Sequence, residues 1–219
     1  MGDARNDETH ERDVSDGRGN DRDRDHTADR HEHRHDDRHE NDRHGRHDHD
    51  HDHHHDHDLD RVGVAVVTVS STRSMEDDSA GDAIVAAVEA DGNDVVTRDL
   101  VNDDYDGVQS AVNALVGRDD VDAVVTSGGT GVTPDDVTVE AVRPLFDKEL
   151  PGFGELFRRL SYEEIGTRVV GTRAVAGVAA GVPVFCLPGS ENAARLGAEE
   201  IVVEEAGHLA GLAGRADDA

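Results

Sequence analysis

The chain has 219 residues, of which 50 are Asp or Glu, 22 are Lys or Arg and 15 are His, giving a formal net charge of -28. A surface this acidic offers no basic footprint for nucleic acid, and no apolar run approaches the roughly 20 residues of a membrane span. With an N-terminus too polar for a secretory signal and Cys186 as the only cysteine, the composition excludes an internal disulfide and points to a cytoplasmic protein.

Residues 1–58 contain 20 acids, 10 arginines and 14 of the 15 histidines, with Met1, Ala4, Val14 and Ala28 as the only aliphatic side chains. Such a segment cannot offset its ordering entropy and is expected to be a disordered tail. It ends in the His/Asp run 47–58, which reads first as a solvated polyampholyte leader. Its second reading is a binder of divalent transition metals such as zinc, nickel or cobalt, without the fixed spacing of a folded site. Residues 59–219 form the folding unit, the size of one domain, with 30 acids against 12 bases. Lys148 is the only lysine beside 21 arginines, a balance that resembles salt-in halophilic proteins. In molar salt the Debye length falls to about 3 Å and surface carboxylates no longer repel strongly.

The β-branched run 62–69 predicts a strand covered on both faces, hence a parallel sheet. A helix is predicted over 81–90, with Ile84, Val85 and Val88 on one face, then a strand over 94–100. Another helix follows over 105–116, where Val108, Val112 and Leu115 recur at helical spacing. A third strand, 121–126, ends at Ser127-Gly128-Gly129-Thr130-Gly131. Thr133-Pro134-Asp135-Asp136 has the composition of a helix start, predicting a helix over 135–146. Pro151-Gly152-Phe153-Gly154 is expected to break the chain before a helix over 155–165. Strands are predicted over 174–178 and 182–187, with Cys186 as a buried packing thiol. Pro188-Gly189-Ser190 then opens a helix over about 192–205. The order implies a three-layer α/β/α domain with a mostly parallel central sheet.

Ligands of open α/β sheets sit beyond the carboxyl ends of the strands. The segments there are Ser70-Ser71-Thr72-Arg73, Asn102-Asp103-Asp104, the glycine loop 127–131 and Pro188-Gly189-Ser190. Glycines at 128, 129 and 131 let backbone amides approach a phosphate. The loop lacks the ending of a P-loop and the spacing of a dinucleotide fingerprint, so by itself it fits an ordinary turn equally well. Asp103 and Asp136, if they meet there, could hold magnesium through water.

Taken together, Ser127-Gly128-Gly129-Thr130-Gly131, Asp136-Val137-Thr138, Pro151-Gly152-Phe153-Gly154-Glu155 and Pro188-Gly189-Ser190 resemble the MoaB/MogA molybdopterin-binding family. Thr68-Val69-Ser70 and Asp78-Ser79-Ala80-Gly81 agree, and Arg173-Ala174-Val175-Ala176-Gly177 looks like the MoaB branch. The likeness spans about 62–210. It implies a fold similar to the gephyrin G domain, a homotrimer or hexamer, and Mg²⁺- and ATP-dependent adenylylation of molybdopterin before molybdenum or tungsten insertion. By motif, Asp103 and Asp136 are the acids required for transfer. Ser70, Ser127, Gly128, Gly129, Thr130, Gly131, Gly154, Glu155, Pro188, Gly189 and Ser190 line the molybdopterin/ATP site. The chain departs from the family at Ser71, where Asp is common, at Asn102, where Pro is, and at Asp135, where Arg is. The alternatives are a non-catalytic molybdopterin binder and a nucleotide-processing enzyme of the same fold, such as a competence-damage-type domain.

Overall fold

At its first described residues the chain is fastened to its last helix: the Asp58 carboxylate meets His208 Nδ1 at 2.7 Å, and the Leu59 amide donates to the Gly207 carbonyl at 3.2 Å. The computed structural model describes residues 58–214. The readings of residues 1–57 as a disordered tail and a metal binder lie outside the described residues, as do residues 215–219.

The predicted β-branched run forms β1 (Gly63–Val69), with every residue after Gly63 buried. β2 (Asp94–Val101) and β3 (Ala123–Ser127) pair with it in parallel on either side, and β6 (Val182–Leu187) pairs in parallel with β3. β5 (Val175–Ala179) and the two-residue β4 (Lys148–Glu149) complete the sheet as antiparallel strands, in the order β2-β1-β3-β6-β5-β4.

Because side chains alternate along a strand, β1 feeds two cores. Val64 and Val66 pack under α1 (Ser79–Ala90), α4 (Pro151–Ile165) and α5 (Glu191–Gly197), while Ala65, Val67 and Val69 pack under α2 (Tyr105–Leu115) and α3 (Thr138–Val142). The three-layer α/β/α architecture is therefore as expected, and fully buried Cys186 lies within β6. None of the described helices is long and apolar enough to cross a membrane.

β3, expected over 121–126, forms over Ala123–Ser127, and four helices differ more substantially from expectation. α1 begins at Ser79, because the Asp78 carboxylate caps it by accepting the Gly81 amide at 3.0 Å. The helix expected over 135–146 shrinks to α3 and a 3-10 turn, Arg143–Leu145, since Pro144 cannot donate within a helix and the Asp136 side chain closes a turn instead. Pro151 starts α4 and does not break it: proline suits the first helical position, where its missing N–H is not needed. The last helix runs past residue 205, through a π segment, Ala198–Val202, into α6 (Val203–Ala213).

Candidate functional site

Parallel strands carry the loops after β1, β2, β3 and β6 to one edge of the sheet, where they border a cleft of about 600 Å³. Ser70, Asp103, Gly128, Gly129, Thr130, Gly131, Asp136, Pro188, Gly189 and Ser190 line it, so the structure gathers most of the predicted residues in one place. Ser127 is fully buried within β3 and does not line the cleft. Gly154 and Glu155, on the first turns of α4, line an adjacent pocket of about 330 Å³ that shares Thr172 with the cleft.

The glycine loop is shaped by close approach. Gly128 has φ +105°, and a Cβ there would lie 2.3 Å from the Val69 carbonyl oxygen; Gly129 has φ +64°, and its Cβ would meet Thr138 Oγ1 at 2.2 Å. Any side chain would be strained and would also displace a neighbour. Thr138 draws the loop down onto α3: its hydroxyl donates to the Gly128 carbonyl at 2.8 Å and its amide to the Gly129 carbonyl at 3.0 Å. Thr130 is buried, and its hydroxyl has no protein partner although the residue lines the cleft.

Asp136 Oδ2 accepts from the amide and the hydroxyl of Thr133, both at 2.7 Å. Partial burial opposes its ionisation. The hydrogen bonds from Thr133 and the Gly131 amide, with the charge of Arg173, outweigh that and hold the carboxyl below the usual carboxylate range. Arg173 also ties the segment together, donating to the Gly131 carbonyl at 2.6 Å and the Asp136 carbonyl at 2.9 Å while pairing with Glu140. Across the cleft, Asp103 Oδ2 accepts the Ser71 amide at 2.7 Å and the Asp103 amide donates to Ser71 Oγ at 3.1 Å.

Cations enter from two sides. Arg73, fixed by a 2.8 Å hydrogen bond to the Gly189 carbonyl, lies at the loop after β1. Arg168, Gly171 and Thr172 close the cleft from the 3-10 turn Gly166–Gly171 and its cap. The sequence reading missed these three. The available signal was the bracket of Gly166 and Gly171 around an arginine in a domain with few bases. Beneath the cleft, fully buried Asp78 receives the Thr68 hydroxyl at 2.5 Å and Arg98 Nη2 at 2.9 Å.

Among the described residues, no cluster of three or more His, Cys, Asp or Glu could cage a metal. The cleft instead offers two carboxylates, from Asp103 and Asp136. That donor set fits magnesium, which takes one or two protein carboxylates and completes its shell with water and substrate phosphate oxygens.

A family model described as "Probable molybdopterin binding domain" matches residues 65–208. The chain is similar to molybdenum cofactor biosynthesis protein B of Halalkalibacterium halodurans, at 43% identity over 145 residues, 66% of this chain and 85% of that protein. Among solved structures it is similar to the tungsten cofactor synthesizing protein MoaB of Pyrococcus furiosus, with 40% identity and a TM-score of 0.63 over 70% of this chain and 97% of that one. It is also similar to the molybdopterin biosynthesis Mog protein of Mycobacterium ulcerans, with 26% identity and a TM-score of 0.63 over 70% of this chain and 99% of that one.

Proposed function

Since the chain belongs to the MoaB/MogA family of molybdenum cofactor biosynthesis proteins, we propose that its step in that biosynthesis is the transfer of AMP from ATP to molybdopterin, with magnesium as cofactor. The observation that carries this reading is the lining of one cleft by Asp103, Asp136, the glycine loop, Arg73 and Arg168.

In this reaction an oxygen of the pterin's terminal phosphate forms a bond to the α-phosphorus of ATP. The bond from that phosphorus to the bridging oxygen breaks, and pyrophosphate leaves. The attacking phosphate is already ionised, so the site must orient and neutralise charge more than remove a proton. Glycine loop amides and the Arg73 and Arg168 guanidinium groups serve that purpose. Magnesium, held by Asp103 and Asp136, supplies further charge neutralisation at the phosphates when bound. Asp136 keeps acceptor capacity beyond its loop hydrogen bonds, because a carboxylate has about four lone-pair sites.

The second reading is a non-catalytic molybdopterin binder. It is favoured by the bracing role of the Asp136 carboxylate within its own loop, and by exposed Asp135 beside it, which adds negative charge near the bound phosphates. We read the working form as a homotrimer or hexamer, supported by an apolar groove along α4 and α6 that includes Phe153, Leu156 and Leu209. Incubation with ATP, magnesium and molybdopterin in molar KCl separates enzyme from binder, because only the enzyme produces pyrophosphate and adenylated pterin.

A further inference from the structure

The folded domain has 30 acids against 12 bases, so a guanidinium without a carboxylate partner is unusual in it. Arg61, Arg73, Arg98, Arg118, Arg143, Arg173 and Arg195 each lie within ion-pair distance of a carboxylate. Among the described residues, Arg158 and Arg168 line pockets and make no such pair. Arg168 faces the cleft. Arg158 faces the adjacent pocket of about 330 Å³, whose lining also includes Arg143 and Arg173.

Three guanidinium groups there meet two carboxylates, Glu149 and Glu155. Arg143 is paired with Glu149 at 2.9 Å, and Arg173 is committed to Glu140 and the glycine loop. The uncommitted charge of the pocket is therefore Arg158, with Glu155 on the same wall. Gly154 makes room for it: a Cβ there would come within 3.0 Å of the Arg158 guanidinium and 2.8 Å of the Ala174 carbonyl oxygen. A glycine inside a helix carries a stability cost, and here it lets the arginine fold back along α4 into the pocket. The pocket and the cleft meet at Thr172, whose hydroxyl is buried without a protein partner. An unmet buried hydroxyl between two arginine-bearing pockets is suited to a phosphate oxygen.

We infer that this pocket is a second phosphate subsite, joined to the cleft across Thr172, which takes the pyrophosphate end of the nucleotide through Arg158. The inference rests on the adenylyl-transfer reading for its ligand, since that reaction leaves pyrophosphate. Arg73, Arg168 and the glycine loop serve the reacting phosphates in the cleft, and the terminal pair extends past Thr172 toward Arg158.

Calorimetric titration of the full chain with magnesium pyrophosphate, and separately with inorganic phosphate, tests this without any turnover. Wild type should bind pyrophosphate at least tenfold more tightly than phosphate. Arg158→Gln should weaken pyrophosphate binding by tenfold or more with an unchanged circular dichroism spectrum, and Arg158→Lys should retain part of it. Thr172→Val should weaken it several-fold, and exposed Arg159→Gln should leave it unchanged. No pyrophosphate binding by wild type, binding indifferent to both Arg158→Gln and Thr172→Val, or equal dependence for single phosphate would each overturn the subsite. A chain that binds pyrophosphate through Arg158 yet forms no adenylated pterin keeps the subsite and loses the transferase reading.

Discussion

Ser71 and Asp103 hold each other across the ends of β1 and β2: the Ser71 amide donates to the Asp103 carboxylate at 2.7 Å and the Asp103 amide donates to Ser71 Oγ at 3.1 Å. The Ser71 hydroxyl here takes part in holding a proposed catalytic acid. Ser71→Ala removes one exposed hydrogen bond, a loss of about 1 kcal/mol at most, so AMP transfer should fall, by no more than roughly fivefold, and the thermal midpoint by no more than about 4 °C. A wild-type rate in Ser71→Ala would remove the positioning role.

Asp78 is fully buried beneath the cleft. Burial opposes its ionisation, but hydrogen bonds from Thr68, Arg98 and the Gly81 amide, with the charge of Arg98, outweigh it and lower its pKa. A depressed carboxyl contributes stability that is fully present above the unfolded value of about 3.9 and is lost as pH falls through the folded value. Stability should therefore hold above about pH 5 and decline below about pH 4. Asp78→Ala leaves part-buried Arg98 with only the more exposed Asp82 as its carboxylate partner and should cost about 3 kcal/mol at neutral pH in denaturant unfolding. It should also flatten the acid limb; an unaltered limb would assign it to other carboxyls.

Burial pushes the Cys186 thiol up to about 11, so at neutral pH it is protonated as well as enclosed in β6. Maleimide should leave the native protein unlabelled and modify one thiol per chain after denaturation. Rapid labelling of the native state would mean that β6 opens far more readily than its packing implies.

The excess of 30 acids over 12 bases in residues 59–219 sets up self-repulsion that only screening relieves. The thermal midpoint should rise steadily between dilute buffer and molar KCl. A flat or falling midpoint would contradict the reading of the acid surface as a salt adaptation.

Residues whose neighbours in sequence decide their structure were legible in advance. The β-branched runs of β1, β3 and β6 could only be covered strands, and the loops that follow them had to share an edge once the sheet was parallel. Asp136 was legible as a residue of the cleft but not as a turn: its bonds to Thr133 span only three residues, whereas its link to Arg173 is a contact 37 residues away. Arg168 and Thr172 were missed for the same reason. They reach the cleft only because the chain returns after α4 in a 3-10 turn, a tertiary placement without local periodicity. Pro151 misled because its helix-breaking chemistry reverses at the first helical position. The two-residue β4 is too short to carry any pattern.

Removing one of the two cleft acids tests adenylyl transfer most directly. Asp104 is a suitable control, since its carboxylate caps α2 by accepting the Gly107 amide at 2.7 Å and asparagine caps equally well. With ATP, magnesium and molybdopterin in molar KCl, wild type should release pyrophosphate and form adenylated pterin. Asp103→Asn and Asp136→Asn should each slow this about a hundredfold, near 3 kcal/mol of transition-state stabilisation, with pterin affinity retained, while Asp104→Asn keeps the wild-type rate. Wild-type rates in both acid variants would contradict the assignment of Asp103 and Asp136. No adenylated pterin from the wild type would contradict the enzyme itself and leave a molybdopterin-binding protein.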